Sequence, residues 1–252
     1  MLLGICGAQG SGKSTLTDML ADHFRGRGLR VATLSLDDLY LRRAERQHMA
    51  ATVHPLFTTR GVPGTHDLRL GHAVLDALGQ EGKVRLPRFD KSVDDRFPES
   101  AWDEVEGPVD LILFEGWCVG ATAQPDRELT CPMNALERTE DQAAIWRRSV
   151  NAALADEYQK LFRRIDFLVL LQAPSFEIVA RWRTEQEESL RQTLIEDDRP
   201  VTGLMTADQI ARFVQHYERI TRHILSEMPD RADLVIALDE HRHITSQKMA
   251  GR

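Results

Sequence analysis

Eight residues constrain this chain more than any others: "GAQGSGKS", Gly7 to Ser14, which fits G-x-x-x-x-G-K-S/T. The stretch directly follows an apolar run, "LLGIC" (2–6), and directly precedes a helical pattern over 13–24. A glycine-rich turn between a strand and a helix lets successive backbone N–H groups converge on an anion at the helix N-terminus. A lysine and a hydroxyl at its end supply a cation for phosphate oxygens and a ligand for Mg²⁺. The spacing predicts a phosphate site made of Gly7, Ala8, Gln9, Gly10, Ser11, Gly12, Lys13, Ser14 and Thr15. Lys13 is expected on the β/γ oxygens of ATP and Ser14 on Mg²⁺.

The remaining pattern supplies the sheet that such a loop needs. Short aliphatic runs recur as "RVATLSL" (30–36), "VDLILF" (109–114), "DFLVLL" (166–171) and "DLVIAL" (233–238), each too short for a helix and apolar on both faces. Helical patterns lie between them at 67–79, around 136–164, at 175–195 and at 206–226. The last opens on Thr206 and Gln209 as a capping box. Alternating strands and helices predict an α/β fold with a parallel sheet buried on both faces. The chain, 1–252, is expected to form one domain, with irregular insertions at about 40–66 and 80–108. The tail "DEHRHITSQKMAGR" reads as a solvated end.

Composition excludes several function classes. A net charge of −7 and a pI near 5.7 provide no global field for nucleic acid or an anionic membrane, so any anion site is local. Three widely spaced cysteines without a CxxC suit a reducing compartment, and no apolar run approaches the length of a membrane span. With no basic segment before "MLLGIC", a cytoplasmic location is expected. The sequence has no Asn-Lys-x-Asp motif, which weakens a GTPase reading.

Candidate catalytic groups fall at the carboxyl ends of the predicted strands, where open parallel sheets place their ligands. Glu115 ends "VDLILFEGW" and is expected to hold Mg²⁺ directly or through water; otherwise it is a turn acid before Gly116. Asp37, first off the strand in "LSLDDLY", is the candidate base for an attacking hydroxyl, with Asp38 as a competitor for that role or a turn cap. "LPRFDKSVDDR" offers Arg88, Lys91 and Arg96 as anion ligands or as a solvated charged loop. "ARWRTEQEESLR" sets Arg181, Arg183 and Arg191 on one helix, with Glu185 and Glu187 four residues after the first two. That spacing fits surface ion pairs and equally a lid closing over a triphosphate.

The loop "TRGVPGTHD" is rigid by composition, since Gly61, Pro63 and Gly64 restrict or select backbone angles. Arg60, His66 and Asp67 are its candidate substrate ligands, with a plain surface turn as the alternative. Tyr217 and Trp117 read as packing residues before ligand contacts.

Taken in order, "GAQGSGKS", "LSLDDLY", "TRGVPGTHDLRL", "LPRFDKS", "VEGPVDLILFEGW" and "WRTEQEESLR" resemble the plant and fungal D-glycerate 3-kinase family of P-loop kinases across roughly residues 3 to 225. The glycine loop, the Asp after the second strand and the lid arginines are shared with uridine kinases, phosphoribulokinases and bacterial pantothenate kinases. The R-G-x-x-G-S/T-H-D loop and the FEGW strand end carry the narrower likeness. The resemblance implies a three-layer fold with a five-stranded parallel sheet, Asp37 as base, and a lid near 181–191. It implies Lys13, Glu115 and Arg183 as further catalytic residues, and Arg181 as a nucleotide contact. ATP and Mg²⁺ would be the cofactors and a small hydroxy acid the acceptor, with no nucleic-acid or membrane partner and oligomeric state left open. Plant members carry a glycine-rich "GRGDR" after the Lys-Ser; here "VDDR" keeps Arg96 but adds acids beside the acceptor. A kinase of a nucleoside, pantothenate or sugar phosphate, or an ATP-binding regulatory protein, remains an alternative.

Overall fold

The computed structural model describes residues 1–196 and 205–250; the last two residues of the tail, 251–252, lie outside the described residues. The first half runs β1 (Leu2–Gly7), α1 (Lys13–Arg25), β2 (Val31–Ser35), α2 (Arg43–Thr52), α3 (Leu68–Ala77), β3 (Gly82–Leu86), β4 (Phe89–Asp90), β5 (Asp95–Arg96), β6 (Asp103–Gly107) and β7 (Leu111–Gly116). The second half runs α4 (Ala135–Glu140), α5 (Ile145–Ala155), α6 (Glu157–Phe162), β8 (Phe167–Gln172), α7 (Phe176–Glu196), α8 (Ala207–Glu227), β9 (Leu234–Leu238) and β10 (Ile244–Met249).

All five apolar runs become parallel strands, in the order β9-β8-β1-β7-β2. β1 is central, with Leu3 level with Leu113 on one side and Phe167 on the other. Its side chains alternate between two cores. Leu2 and Cys6 pack with α3, α5, α6 and the C-terminal half of α8, whereas Ile5 packs with Val179 and Trp182 of α7 and Ile210 of α8. A smaller cluster under α1 joins Ala21 to Val31, Leu111 and Leu113. Burial on both faces explains why these strands read as continuous apolar runs. Each fully buried aliphatic side chain contributes about 1.5–3 kcal/mol over its exposed state. Helices thus cover both faces of the sheet.

Two expectations are corrected. The sheet has six strands, because the tail read as solvated returns as β10, antiparallel to β9. All six β10 side chains are exposed, so no apolar face announces the strand; backbone pairing and the Asp239 carboxylate, which accepts from His241 N and His243 N in the turn, make it. The stretch around 136–164 is three helices in place of one. The first ends at Asp141, whose carboxylate accepts from the amides of Trp146 (2.8 Å) and Arg147 (3.1 Å) in the first turn of the second, and Asp156 separates the other two. The capping box of α8 forms as expected. Among the described residues no helix is long and apolar enough to cross a membrane.

Candidate active site

The carboxyl ends of β1, β2 and β7 open into a cavity of about 340 Å³, which α7 and α8 cover from the other side. From β1 the chain turns through Gly10 and Gly12, both with left-handed backbone (φ 79° and 86°). Gly12 caps α1 without any side-chain hydrogen bond to the first turn, and a Cβ built on it would meet nothing within 4 Å. The helix N-terminus therefore faces open space with its amides unspent. Ser11 Oγ is buried and has no partner among the described residues. An orphan hydroxyl beneath an open helix N-terminus fits a phosphate group.

Lys13, Ser14 and Glu115 line the cavity together. Glu115 is level with Ile5, and its Oε2 is buried without a partner among the described residues. Burial raises its pKa and the Lys13 ammonium draws it back. One unspent carboxylate oxygen beside a hydroxyl suits Mg²⁺, which takes few protein ligands and completes its shell with phosphates and water. Among the described residues there is no group of three or more acidic, histidine or cysteine side chains that would hold a metal alone.

Asp37 follows β2 in a single 3-10 turn, capped by Ser35 Oγ, which accepts from Asp37 N (3.2 Å). Its Oδ1 accepts from the Tyr40 hydroxyl and its Oδ2 from Lys91 Nζ, each at 2.7 Å. Burial pushes the Asp37 carboxyl up, but Lys91 and Lys13, with both hydrogen bonds, outweigh it and hold the group well below the usual carboxylate range. Asp38 points elsewhere: it accepts from Phe89 N and Arg88 Nη1, both at 3.0 Å, and so ties the β4 strand to the sheet.

The loop at 58–67 divides between two surroundings. Arg60 lines the cavity, with Asp94 as its ion-pair partner and the Phe89 ring 5.6 Å from its guanidinium. Its backbone is pinned from above, since Tyr217 OH donates to Arg60 O (2.9 Å) and Trp117 Nε1 to Gly61 O (2.8 Å). At Gly61 (φ 118°) a Cβ would lie 2.3 Å from the Tyr217 hydroxyl, so the pin requires glycine. His66 and Asp67 turn away, and neither lines the cavity. Gly64 N donates to Tyr158 OH, which is also hydrogen-bonded to His66 Nδ1, while the imidazole stacks on Tyr40. Burial pushes the His66 pKa down to about 3, so the ring is neutral. Asp67 caps α3, accepting from Leu70 N (3.0 Å) and from Arg96 Nη2 (3.2 Å).

Of the six expected acceptor ligands, then, the structure brings Arg60 and Lys91 to the cavity. His66, Asp67, Arg88 and Arg96 do not line it and are spent within the protein: Arg96 Nη2 also donates to Tyr40 O (2.9 Å), and Arg88 bridges Asp38 and Asp103. Helix α7 divides the same way. Arg183 faces in, paired with Glu187 (2.7 Å) and 5.8 Å from the Phe213 ring centre. Arg181 faces out, on Glu240 (2.9 Å) and Glu185 (3.6 Å). Both i,i+4 pairs expected from the spacing form, and only one of them belongs to the cavity.

Tyr40, Gln186, Phe213 and Arg242 escaped the reading of motifs. Tyr40, Gln186 and Phe213 line the cavity, and Tyr217 and Trp117, read as packing residues, do both jobs. Arg242, in the β9–β10 turn, donates to Gly10 O (2.6 Å) and Glu185 Oε2 (2.8 Å) and lies over Trp182 (5.0 Å), strapping the glycine loop to α7. No sequence signal marks it, because it lies some 230 residues from the loop it holds.

The profile of the phosphoribulokinase/uridine kinase family matches residues 2–123, which contain the glycine loop, Asp37, Lys91 and Glu115. An uncharacterized kinase of Schizosaccharomyces pombe is 33% identical over 96% of this chain and 89% of its own length. The chain belongs to the phosphoribulokinase/uridine kinase family. The kinase is also 31% identical to the chloroplastic D-glycerate 3-kinase of Arabidopsis thaliana, over 96% of this chain and 53% of that longer protein. Among solved structures, the D-glycerate 3-kinase of Cryptococcus neoformans superposes with a TM-score of 0.81 at 27% identity, covering 99% of this chain and 89% of that one. The likeness to D-glycerate 3-kinases carried by the sequence motifs thus extends over the whole fold of this P-loop kinase.

Proposed function

We propose that the kinase transfers the γ-phosphoryl group of ATP to a hydroxyl of a small hydroxy acid, D-glycerate, giving 3-phosphoglycerate. The observation that carries this reading is the charge pattern of the cavity: besides Lys13 of the glycine loop it is lined by Arg60 and by Lys91, which pairs with Asp37. A small acceptor with one carboxylate and one primary hydroxyl matches two cations next to one hydrogen-bond acceptor. Likeness to two D-glycerate 3-kinases over nearly the whole chain supports the same acceptor.

In this mechanism the amides of Gly12 to Ser14 and the Lys13 ammonium hold the β- and γ-phosphates. Ser14 and Glu115 are the residues that would hold Mg²⁺, which when bound neutralises phosphate charge. Asp37 accepts the hydrogen of the acceptor hydroxyl and aims its oxygen at the γ-phosphorus. The new O–P bond forms as the β–γ bridging O–P bond breaks; ADP leaves, and the hydroxyl proton passes to Asp37 and on to solvent. A carboxylate held so firmly ionised is always ready to accept but only weakly basic. That suits a loose transition state, in which the nucleophile surrenders its proton late. Arg183, carried in by the lid, neutralises charge on the transferring group.

The test is ADP release from Mg-ATP with D-glycerate, L-glycerate, uridine or pantothenate, followed by identification of the product. D-glycerate alone should stimulate release and give 3-phosphoglycerate. Stimulation by another acceptor would move the kinase to that substrate, and none with any acceptor would favour an ATP-binding regulatory role.

A further inference from the structure

The cations around the cavity are unequally committed. Lys13 has no ion-pair partner among the described residues, whereas Lys91 is held by Asp37, Arg183 by Glu187 and Arg60 by Asp94. The Arg60–Asp94 pair differs from the other two in what breaking it would leave behind. Asp94 has a second cation: Arg46 Nη2 lies 2.8 Å from its Oδ2 and also donates to its backbone carbonyl at 2.8 Å. Arg46 is almost fully buried and is fixed further by the carbonyls of Leu41 and Thr58. When Arg60 leaves, Asp94 therefore stays neutralised and in place. Glu187, by contrast, is itself buried, and its only cation is Arg183 among the described residues.

Arg60 is built to move at one end only. Its carbonyl and that of Gly61 are pinned by Tyr217 and Trp117, while its guanidinium is about a quarter exposed at the cavity wall, as is Asp94 to a similar degree (28% and 32%). A half-wet pair exchanges one carboxylate for another at little desolvation cost. Asp94 also sits at φ 58°, a left-handed conformation that aspartate and asparagine adopt more readily than other residues with a side chain.

We propose that Asp94 is a built-in competitor for the carboxylate of the acceptor: it occupies Arg60 in the free kinase, yields it to an acidic acceptor, and so tempers the affinity for acids while leaving that for neutral polyols untouched. This rests on the hydroxy-acid reading above. Asp94 does not touch the reacting atoms; it acts on selectivity through Arg60.

The test compares wild type with Asp94→Asn, which keeps an oxygen for Arg46, tolerates the backbone angle and removes the competing charge. KM for D-glycerate should fall about two- to fivefold, the span of a partly exposed ion pair. Turnover of glycerol, which has a hydroxymethyl in place of the carboxylate, should gain nothing, and in an Arg60→Ala background the Asp94→Asn change should make no difference to KM. Should the variant fold poorly, the wild-type protein reads the same exchange. The Arg60 side-chain NMR signal, assigned by its loss in Arg60→Ala, should shift on adding D-glycerate and not on adding glycerol. An unchanged or higher KM in a folded variant, an equal gain with glycerol, or an unmoved Arg60 signal in a kinase that does turn over D-glycerate would overturn the role of Asp94 alone. No turnover of D-glycerate by wild type would take down the hydroxy-acid reading and this inference together.

Discussion

The two sides of the cavity handle charge in opposite ways. On the nucleotide side the polar groups are left unspent: Lys13 has no ion pair among the described residues, and Ser11 Oγ and Glu115 Oε2 are buried without partners among them. Around Asp37 and the 58–67 loop the cations are already matched, Lys91 to Asp37 and Arg60 to Asp94. Unpaired buried groups destabilise the free protein and bind strongly when their ligand arrives; pre-paired groups cost the free protein little and bind by exchange.

The comparison is broken most severely at Asp37. Asp37→Asn is expected to lower turnover by about two orders of magnitude or more, with ATP affinity changed only a few-fold. Loss of ATP binding with turnover retained would move Asp37 to the nucleotide side. Next come the two lid arginines. Arg183→Ala should cost roughly a hundredfold in turnover, as for loss of one transition-state donor, and Arg181→Ala no more than about threefold. Equal effects in a steady-state assay would mean that the inward and outward faces of α7 are not distinct in function.

A smaller effect is expected at the strap. Arg242→Ala should raise KM for ATP by about three- to tenfold and leave KM for the acceptor unchanged, because its partners are the glycine loop and the lid. A change in acceptor KM would join the two sides that the charge pattern separates. The smallest catalytic effect belongs to His66→Gln, with acceptor KM within about twofold of wild type. Its signature is in stability. The folded-state pKa of His66, about 3, lies below the usual 6.5, so the unfolded chain binds more protons between these values. Stability from this group is complete above pH 6.5 and drains away as pH falls toward 3. The Gln variant should therefore lose stability less steeply on acidification, by up to about 1 kcal/mol per pH unit, in denaturant titrations from about pH 7 to 4. His216, also pushed down by burial, to about 4, stays in both proteins and leaves a common slope. Identical slopes would contradict a buried neutral His66.

How far the sequence reached depended on distance along the chain. The glycine loop, the five parallel strands, the capping box of α8 and the i,i+4 pairs of α7 all rest on residues within one or two turns of each other, so periodicity and spacing determined them. Glu115 and Asp37 were legible because a strand end fixes which edge of the sheet a residue occupies. Local chemistry was misleading where a polar residue had two possible neighbourhoods. His66 and Asp67 look like ligands beside Arg60, yet Tyr158, some ninety residues away, takes the imidazole and the start of α3 takes the carboxylate. Arg181 and Arg183 differ by two positions on one helix, and only the packing of α7 on the sheet decides which one sees the cavity. β10 has no apolar face to betray it, and Arg242 reaches Gly10 only because that strand turns back along β9. Spacing in sequence determines which elements form and which edge they offer, because those depend on local backbone hydrogen bonds and apolar periodicity. Which cation is spent on the protein and which is kept for a ligand was decided only by tertiary structure, because an ion pair is made by whatever the fold brings within about 4 Å.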